Sequence, residues 1–149
     1  MKILVTGGMG YIGSHTCVAL IQAGYDVLIA DNFSNSSEAV IPRLEQIVGK
    51  PIPYERIELC DGAQVEDLFA RHPEIEAVIH FAGLKSVPES ISQPLTYYTN
   101  NLLSTLTLLK SMQQHSVKNF VFSSSASVYG DKTPAPVNED APVGNTKSP

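Results

Sequence analysis

Three glycines that follow the first apolar run of the chain constrain its fold more than any other feature. Directly after Ile3-Leu4-Val5 come Gly7, Gly10 and Gly13, and a helical pattern begins within the same segment. A strand that turns this sharply into a helix needs residues without a Cβ atom, either for positive φ or for close approach of a ligand. The helix start beyond the turn offers free N–H groups and partial positive charge to phosphates. The segment therefore predicts a dinucleotide-binding unit.

Short apolar runs recur along the chain. Each is apolar at consecutive positions, as expected of parallel strands that are covered on both faces. The runs are Ile3-Leu4-Val5, Val27-Leu28-Ile29-Ala30, Ala77-Val78-Ile79 and Phe120-Val121-Phe122. A weaker candidate from Ile52 to Leu59 is interrupted by Pro53, so we expect it nearer an edge of the sheet.

Apolar residues at helical spacing separate these runs. A first helix follows the glycines, with Gly24 as a ready stop and an apolar face formed by Ile12, Thr16, Ala19, Leu20 and Ala23. A short helix is marked by Val65, Leu68 and Phe69. A long helix from about Pro94 to His115 is marked by Leu102, Leu106 and Leu109. The order βαβαβαβαβ predicts a Rossmann-like, doubly wound α/β fold, one domain over residues 1–149 with an incomplete parallel sheet of about five strands.

The composition is that of a soluble globular domain and argues against two classes of partner. The 149-residue chain is 43% hydrophobic and 17% charged, and it is long enough to bury a core. A net charge of −5 without any Lys/Arg run argues against nucleic acid. No apolar run approaches the ~20 residues that span a membrane. Cys17 and Cys60 have neither disulfide nor metal-site spacing, and the four histidines form no metal-ligand pattern. Free thiols in a chain with no signal peptide favour a location in the reducing cytoplasm.

Asp31 ends the second apolar run and supports the interpretation of the glycines. A carboxylate at this point accepts hydrogen bonds from both hydroxyls of an adenosine ribose. It would repel a 2′-phosphate, so NAD is favoured over NADP. The alternative is a turn aspartate before Asn32, because both residue types suit loops.

Longer motifs along the chain resemble one protein family. They are residues 6–15, Asp31-Asn32, Cys60-Asp61-Gly62, and residues 80–85, 97–101 and 117–130. They are similar to the extended short-chain dehydrogenase/reductases, and most of all to the branch that epimerises sugar nucleotides. The resemblance covers essentially the whole chain. It implies NAD as cofactor, UDP-galactose and UDP-glucose as substrates, and transient hydride transfer at sugar C4 through a 4-keto intermediate.

The resemblance also implies roles for individual residues. Those implied in cofactor binding are Gly7, Gly10, Tyr11, Ile12, Gly13, Asp31, Asn32, Asn35, Ser36, Asp61, Gly62, Phe81, Ala82, Gly83, Lys85, Asn100 and Ser123. Lys85 is implied in substrate binding as well. Ser125 is implied in substrate binding and, as a catalytic residue, in proton transfer, whereas Tyr129 is implied to be structural.

Some of these residues keep a second interpretation when the sequence is taken alone. Asp61 follows the third strand, where its carboxylate either accepts the adenine amino group or caps the next helix. Lys85 is suited to the nicotinamide ribose or a substrate phosphate, and the alternative is a solvated surface lysine. A serine run such as Ser123-Ser124-Ser125 is also a common turn.

The catalytic Tyr-x-x-x-Lys pair of the family does not occur in this sequence. None of the six tyrosines has a lysine four residues further on. In such a pair the lysine lowers the pKa of the tyrosine, so that the phenolate takes the proton from the sugar hydroxyl. The stretch resembling Lys147-Ser148-Pro149 leads, in the family, straight into that tyrosine.

We therefore expect the amino-terminal, NAD-binding part of an isomerase, without its substrate domain and inactive alone. The resemblance implies a homodimer for the full-length protein. Two alternatives stay open: a non-catalytic NAD-binding module, and a related enzyme that acts on another nucleotide sugar.

Overall fold

A computed structural model describes residues 1–130, 136–144 and 146 of the chain. This part of the chain forms five strands and five α-helices, and a short 3₁₀ helix follows them at Ala126–Tyr129. The four-proline segment from Thr133 to Pro149 lies partly outside the described residues, and Lys147-Ser148-Pro149 lies wholly outside them.

The five strands and three of the five helices coincide with segments predicted from the sequence. The strands are β1 (Lys2–Thr6), β2 (Asp26–Asp31), β3 (Tyr54–Arg56), β4 (Ile75–His80) and β5 (Asn119–Phe122). The helices are α1 (Tyr11–Gln22), α2 (Val40–Val48), α3 (Gly62–Arg71), α4 (Val87–Ser92) and α5 (Pro94–Gln114). The last crossover holds two helices, where the predicted order has one. Pro94 accounts for the break, because proline has no N–H to donate and disfavours a helical residue before it.

All five strands form one parallel sheet in the order β3-β2-β1-β4-β5. The prediction that the strand interrupted by Pro53 lies at an edge is confirmed. The chain first winds outward from β1 through β2 to β3 and then returns to the other side of β1 at β4. This reversal creates a crevice between β1 and β4 at their carboxyl ends, where doubly wound sheets bind ligands.

The core lies on both faces of the sheet, which explains why the strands are apolar at consecutive positions. One face packs against α3 and α5, with Leu4, Leu28, Val78, Phe69 and Leu108 among its buried residues. The other packs against α1 and α2, with Ile3, Val5, Val27, Ile29 and Cys17 among them. Burial raises the pKa of the Cys17 thiol to about 12, so this cysteine is an inert core residue.

The apolar faces predicted for α1 and α5 are for the most part not the ones that the sheet buries, although Leu20 of α1 packs partly buried against the core. In α1 the buried residues are Gly13, Ser14 and Cys17. In α5 they are Tyr97, Ser104, Leu108, Ser111 and Met112, whereas Leu102, Leu106 and Leu109 are exposed. In α1 the close approach of the Gly7–Gly8 backbone to Gly13 accounts for the difference.

Candidate functional site

The strand register brings the predicted site residues to one edge of the sheet. Four strand residues form a level row across β2, β1, β4 and β5: Ala30, Thr6, His80 and Phe122. The residues that immediately follow this row are Asp31, Gly7, Phe81 and Ser123, all of them predicted from the sequence. Backbone hydrogen bonds extend the ladder past the row, since Phe81 N donates to Thr6 O (3.0 Å) and Ser123 N donates to His80 O (3.1 Å).

The turn after β1 is packed so tightly that two of its glycines have no room for a side chain. Gly7 has φ +68°, and a Cβ atom there would lie 2.7 Å from Ala82 N. A Cβ atom on Gly13 would meet the Gly7 carbonyl oxygen and lie 2.8 Å from Gly8 Cα. The turn therefore holds the start of α1 directly against β1 and the loop after β4. Gly10 ends the turn as the N-cap of α1, with no side chain bonded to that helix end.

Asp31 closes this turn from the neighbouring strand. Its side chain is 8% exposed and accepts hydrogen bonds from Met9 N (3.0 Å), Phe33 N (2.9 Å) and Ser36 Oγ (3.0 Å). The carboxylate is thus fixed beside the glycine turn, and Ser36 contacts Asp31 rather than lining the cleft. Phe33 adopts φ 59°, a strained value for a non-glycine residue, and the Asp31 bond to its N–H helps to hold it there.

The loop after β3 contributes a second carboxylate. Glu58 accepts hydrogen bonds from Asn32 Nδ2 (2.9 Å) and Cys60 N (3.0 Å), and it lines the cleft together with Asn32. Burial opposes ionisation of Glu58, but these donors lower its pKa overall, so it stays an acceptor. Glu58 was not predicted from the sequence, because a carboxylate beyond a weak edge strand gives no distinctive signal.

Asp61 lies at the N-cap of α3, the second of its two interpretations from the sequence. Its Oδ1 accepts from Ala63 N (2.9 Å) and Gln64 N (3.3 Å), and its Oδ2 accepts from Gln64 Nε2 (2.9 Å). These donors, the Gln64 side chain first, lower the pKa of Asp61. Asp61 and Gly62 do not line the cleft, so the adenine contact predicted for Asp61 stays a prediction.

The loop after β4 is fastened to α5 by an asparagine that the sequence analysis quoted but did not assign. Asn101 Oδ1 accepts from Leu84 N (2.8 Å), and its Nδ2 donates to Leu84 O (3.0 Å). A Cβ atom on Gly83 would lie 3.3 Å from Asn101 Oδ1, so the loop fits closely over the helix. Asn100, predicted to bind the cofactor, donates from Nδ2 to Asn101 Oδ1 (3.0 Å).

His80 lies beneath the cleft and contacts a threonine hydroxyl with each of its ring nitrogens. It is 1% exposed, with Nδ1 2.6 Å from Thr6 Oγ1 and Nε2 3.2 Å from Thr105 Oγ1. The Thr105 hydroxyl donates its one proton to Asn101 O (2.8 Å), so it must accept from His80 Nε2. Burial lowers the pKa of His80 to about 4, so the ring is neutral at pH 7 and its Nδ1 accepts from Thr6 Oγ1.

The end of β5 presents hydroxyl groups to the cleft. Ser125 Oγ caps the 3₁₀ helix by accepting from Ser127 N (3.2 Å), and it donates to Ser127 Oγ (3.0 Å). Both serines are exposed. The hydroxyl of Ser125 is therefore held by the backbone yet open to a ligand.

These elements enclose a cleft of about 720 Å³, a size typical of small-molecule sites. Fifteen of the predicted residues line it: Gly7, Gly10, Tyr11, Ile12, Gly13, Asp31, Asn32, Asn35, Phe81, Ala82, Gly83, Lys85, Asn100, Ser123 and Ser125. A smaller hollow of about 380 Å³ lies at the opposite edge, among Met1, Lys50 and Glu74. The larger cleft is the candidate site because it lies at the carboxyl ends of the strands.

Two further findings limit the kind of site. No helix in the described part of the chain is long and apolar enough to cross a membrane. Among residues 1–130, 136–144 and 146, no three His, Cys, Asp or Glu side chains are grouped so that they could hold a metal ion.

Comparison with known protein families settles membership. A family model described as NAD dependent epimerase/dehydratase family matches residues 3–149. The chain belongs to this family. The resemblance stated from the motifs is thereby confirmed, and so is the Rossmann-like parallel sheet, which solved epimerase structures share.

Individual members of the epimerase/dehydratase family are close in sequence and in structure. The chain is 52% identical over 146 residues to the UDP-glucose 4-epimerase of Bacillus subtilis, which covers 98% of this chain and 43% of that protein. UDP-glucose 4-epimerase from Bifidobacterium longum, solved in complex with NAD+ and UDP, superposes with a TM-score of 0.94 at 49% identity, covering 100% of this chain and 44% of that one. The UDP-Glc/GlcNAc 4-epimerase of Campylobacter jejuni gives a TM-score of 0.86 at 36% identity, with 96% and 43% covered. The chain thus spans less than half the length of these relatives.

The cofactor named in the family description fits the residues of this cleft. The turn at Gly7 and Gly13 exposes backbone and a helix start to a pyrophosphate, as dinucleotide sites of doubly wound sheets do. Asp31 is ionisable, fixed and beside that turn, where a ribose acceptor is needed. Asn101, Tyr97 and Thr105 also line the cleft. They were missed because polar residues inside a helix look like ordinary helix residues in sequence, whether buried or half-buried.

Proposed function

We propose that this chain binds NAD and supplies the cofactor-binding part of a UDP-glucose 4-epimerase. The observation that carries the proposal is the row of strand ends, which places the closed glycine turn and Asp31 at one end of a single cleft and Ser125 at the other. The similarity to epimerases that include one solved with NAD+ and UDP supports the same cofactor and substrate class.

The adenosine end of NAD is assigned to the glycine turn and β2. The backbone at Gly7 and Gly13, with the start of α1, binds the pyrophosphate. Asp31 accepts from the ribose hydroxyls. Because this carboxylate is already hydrogen-bonded and cannot turn away, a 2′-phosphate would face a fixed negative charge, and NADP is disfavoured.

The sugar end is assigned to β4 and β5. NAD, when bound, supplies the hydride acceptor for C4 of the sugar. Ser125 holds the 4-hydroxyl region and exchanges a proton at Oγ, which Ser127 already orients. Lys85 offers its ammonium to the nicotinamide ribose or a substrate phosphate, and Asn100 lines the cofactor side of the cleft.

Three further proposals concern the intact protein: its reaction, its compartment and its oligomeric state. We propose that it interconverts UDP-galactose and UDP-glucose, works in the cytoplasm and forms a homodimer. The two free thiols are compatible with a reducing compartment. The exposed side chains of Leu102, Leu106 and Leu109 on α5 offer apolar area for association. We expect the 149-residue chain by itself to bind NAD without turning over UDP-galactose, and robust turnover by it would contradict that expectation.

Calorimetric titration of NAD and NADP into the wild-type chain and the Asp31→Asn variant tests the cofactor assignment. We expect NAD to bind the wild-type chain at least ~10-fold more tightly than NADP, and Asp31→Asn to weaken NAD ~10-fold and remove most of the preference. Asp26→Asn is the matched control, since Asp26 is exposed at the other end of the same strand. A wild-type chain that binds neither nucleotide, or prefers NADP, would overturn the proposal.

A further inference from the structure

Lys85 lies in a loop whose backbone is fastened to α5 on both sides of it. On the preceding side, Asn101 holds both polar backbone atoms of Leu84. On the following side, Ser86 N donates to the hydroxyl of Tyr97 at 3.2 Å. The two anchors are four residues apart in α5 and therefore lie one above the other on the same helix face.

Tyr97 is itself held in place by a carboxylate of α4. Its side chain is 2% exposed, and its hydroxyl donates to Glu89 Oε2 at 2.6 Å. Burial and the Glu89 acceptor raise the pKa of Tyr97, so the hydroxyl remains a donor at neutral pH. One phenol thus joins three segments: α5, the start of α4 and the loop that carries Lys85.

Lys85 has no such support of its own. Its side chain is exposed and, among the residues that the structure describes, forms no hydrogen bond or ion pair. A long free side chain loses much rotamer entropy when it binds, and movement of its own backbone adds to that loss. The place from which the ammonium reaches into the cleft is therefore set by the backbone on either side of Lys85.

We propose that Tyr97, braced by Glu89, is a positioning residue that sets Lys85 for contact with the nicotinamide ribose of the cofactor. This inference rests on the proposed function, because it assumes that NAD occupies the cleft. It assigns Tyr97 no contact with the ligand. The effect of Tyr97 is transmitted through the Ser86 amide to the lysine beside it.

The test compares binding of NAD and of ADP to the chain and its Tyr97→Phe variant. ADP shares the adenosine and diphosphate with NAD but lacks the second ribose. We expect Tyr97→Phe to weaken NAD about five-fold and to change ADP less than two-fold, since only the hydroxyl is removed and the buried ring stays. Tyr98→Phe is the matched control, because Tyr98 is the neighbouring residue and is 52% exposed.

A double-mutant cycle separates positioning from simple loss of structure. In a Lys85→Met background, Tyr97→Phe is expected to have no further effect on NAD, since the group it positions is gone. Glu89→Gln keeps an acceptor for the phenol and should bind NAD within two-fold of wild type, whereas Glu89→Ala should resemble Tyr97→Phe.

The outcomes distinguish this inference from the function on which it rests. If the wild-type chain does not bind NAD, the proposed function fails and this inference fails with it. If the wild-type chain binds NAD and Tyr97→Phe binds it equally well, only the inference fails. It is also overturned if Tyr97→Phe weakens NAD and ADP alike, or if its effect persists without Lys85.

Discussion

The two ends of the cleft are built in opposite ways. At the β1–β2 end, the turn is packed against backbone and Asp31 has three protein donors before any ligand arrives. At the β4–β5 end, the side chains of Lys85 and Ser125 are exposed.

This difference separates two tasks. A rigid end can recognise a part of the ligand that never changes during the reaction, because its geometry is fixed by backbone and costs nothing further to organise. Under the proposed function, the open end bears the groups assigned to the sugar. Substitutions at the rigid end should therefore act through steric strain, and substitutions at the open end through loss of individual contacts with the ligand.

Gly7→Ala should give the largest effect, because Gly7 joins the two ends. An added Cβ atom would lie 2.7 Å from Ala82 N, at a φ of +68°. We expect the free energy of unfolding to fall by about 3 kcal/mol and NAD affinity by about 100-fold. Urea denaturation followed by circular dichroism and NAD titration would measure the two.

Gly24→Ala is the control that separates backbone strain from the clash. Gly24 has φ +88° but no atom within 4 Å of an added Cβ. It should cost about 1 kcal/mol and leave NAD affinity unchanged. Equal losses in both variants would mean that the contact with Ala82 is not what holds the two ends together.

The fold was predictable because every strand is covered on both faces, which leaves runs of consecutive apolar residues such as Val27-Leu28-Ile29-Ala30 in the sequence. Much of the cleft was predictable for a related reason, since the residue after each strand end falls in one level row. The inward faces of α1 and α5 were not predictable from apolar spacing. Close backbone packing requires Gly13 in α1. In α5 the polar Ser104 is buried, whereas Leu102 and Leu106 are exposed. Asn101 and Tyr97 were missed because their partners, Leu84 and Ser86, are backbone groups distant in sequence.

The pH dependence of the free energy of unfolding tests the role of His80, which lies beneath the cleft between its two ends. Its folded pKa of about 4 lies below the ordinary value of 6.5, so the unfolded chain takes up a proton first as the pH falls. The stability that comes from the neutral ring is complete above about pH 6.5 and is lost progressively towards pH 4. The loss should reach about 3 kcal/mol at most.

Unfolding free energies measured from pH 7.5 to pH 4 would check this expectation. His80→Asn removes the titrating ring and should flatten the profile by the same amount, at a constant cost from its lost bonds to Thr6 and Thr105. If both proteins have parallel pH profiles, the acid sensitivity belongs to other groups and His80 is not a neutral link between the two ends.

Asp61 should give the smallest effect and tests how far the rigid end extends. Its Oδ1 caps α3, while its Oδ2 bonds only the Gln64 side chain and is the oxygen that an adenine amino group could use. Asp61→Asn keeps the capping oxygen but replaces Oδ2 with a donor, so the Tm should hardly change and NAD should weaken about three-fold. Asp61→Ala should also lower the Tm, by about 2–4 °C, because the cap is lost. Thermal unfolding and NAD titration of both variants separate the two roles. If Asp61→Asn binds NAD as wild type does, Asp61 is a helix cap alone and the rigid end stops at Asp31.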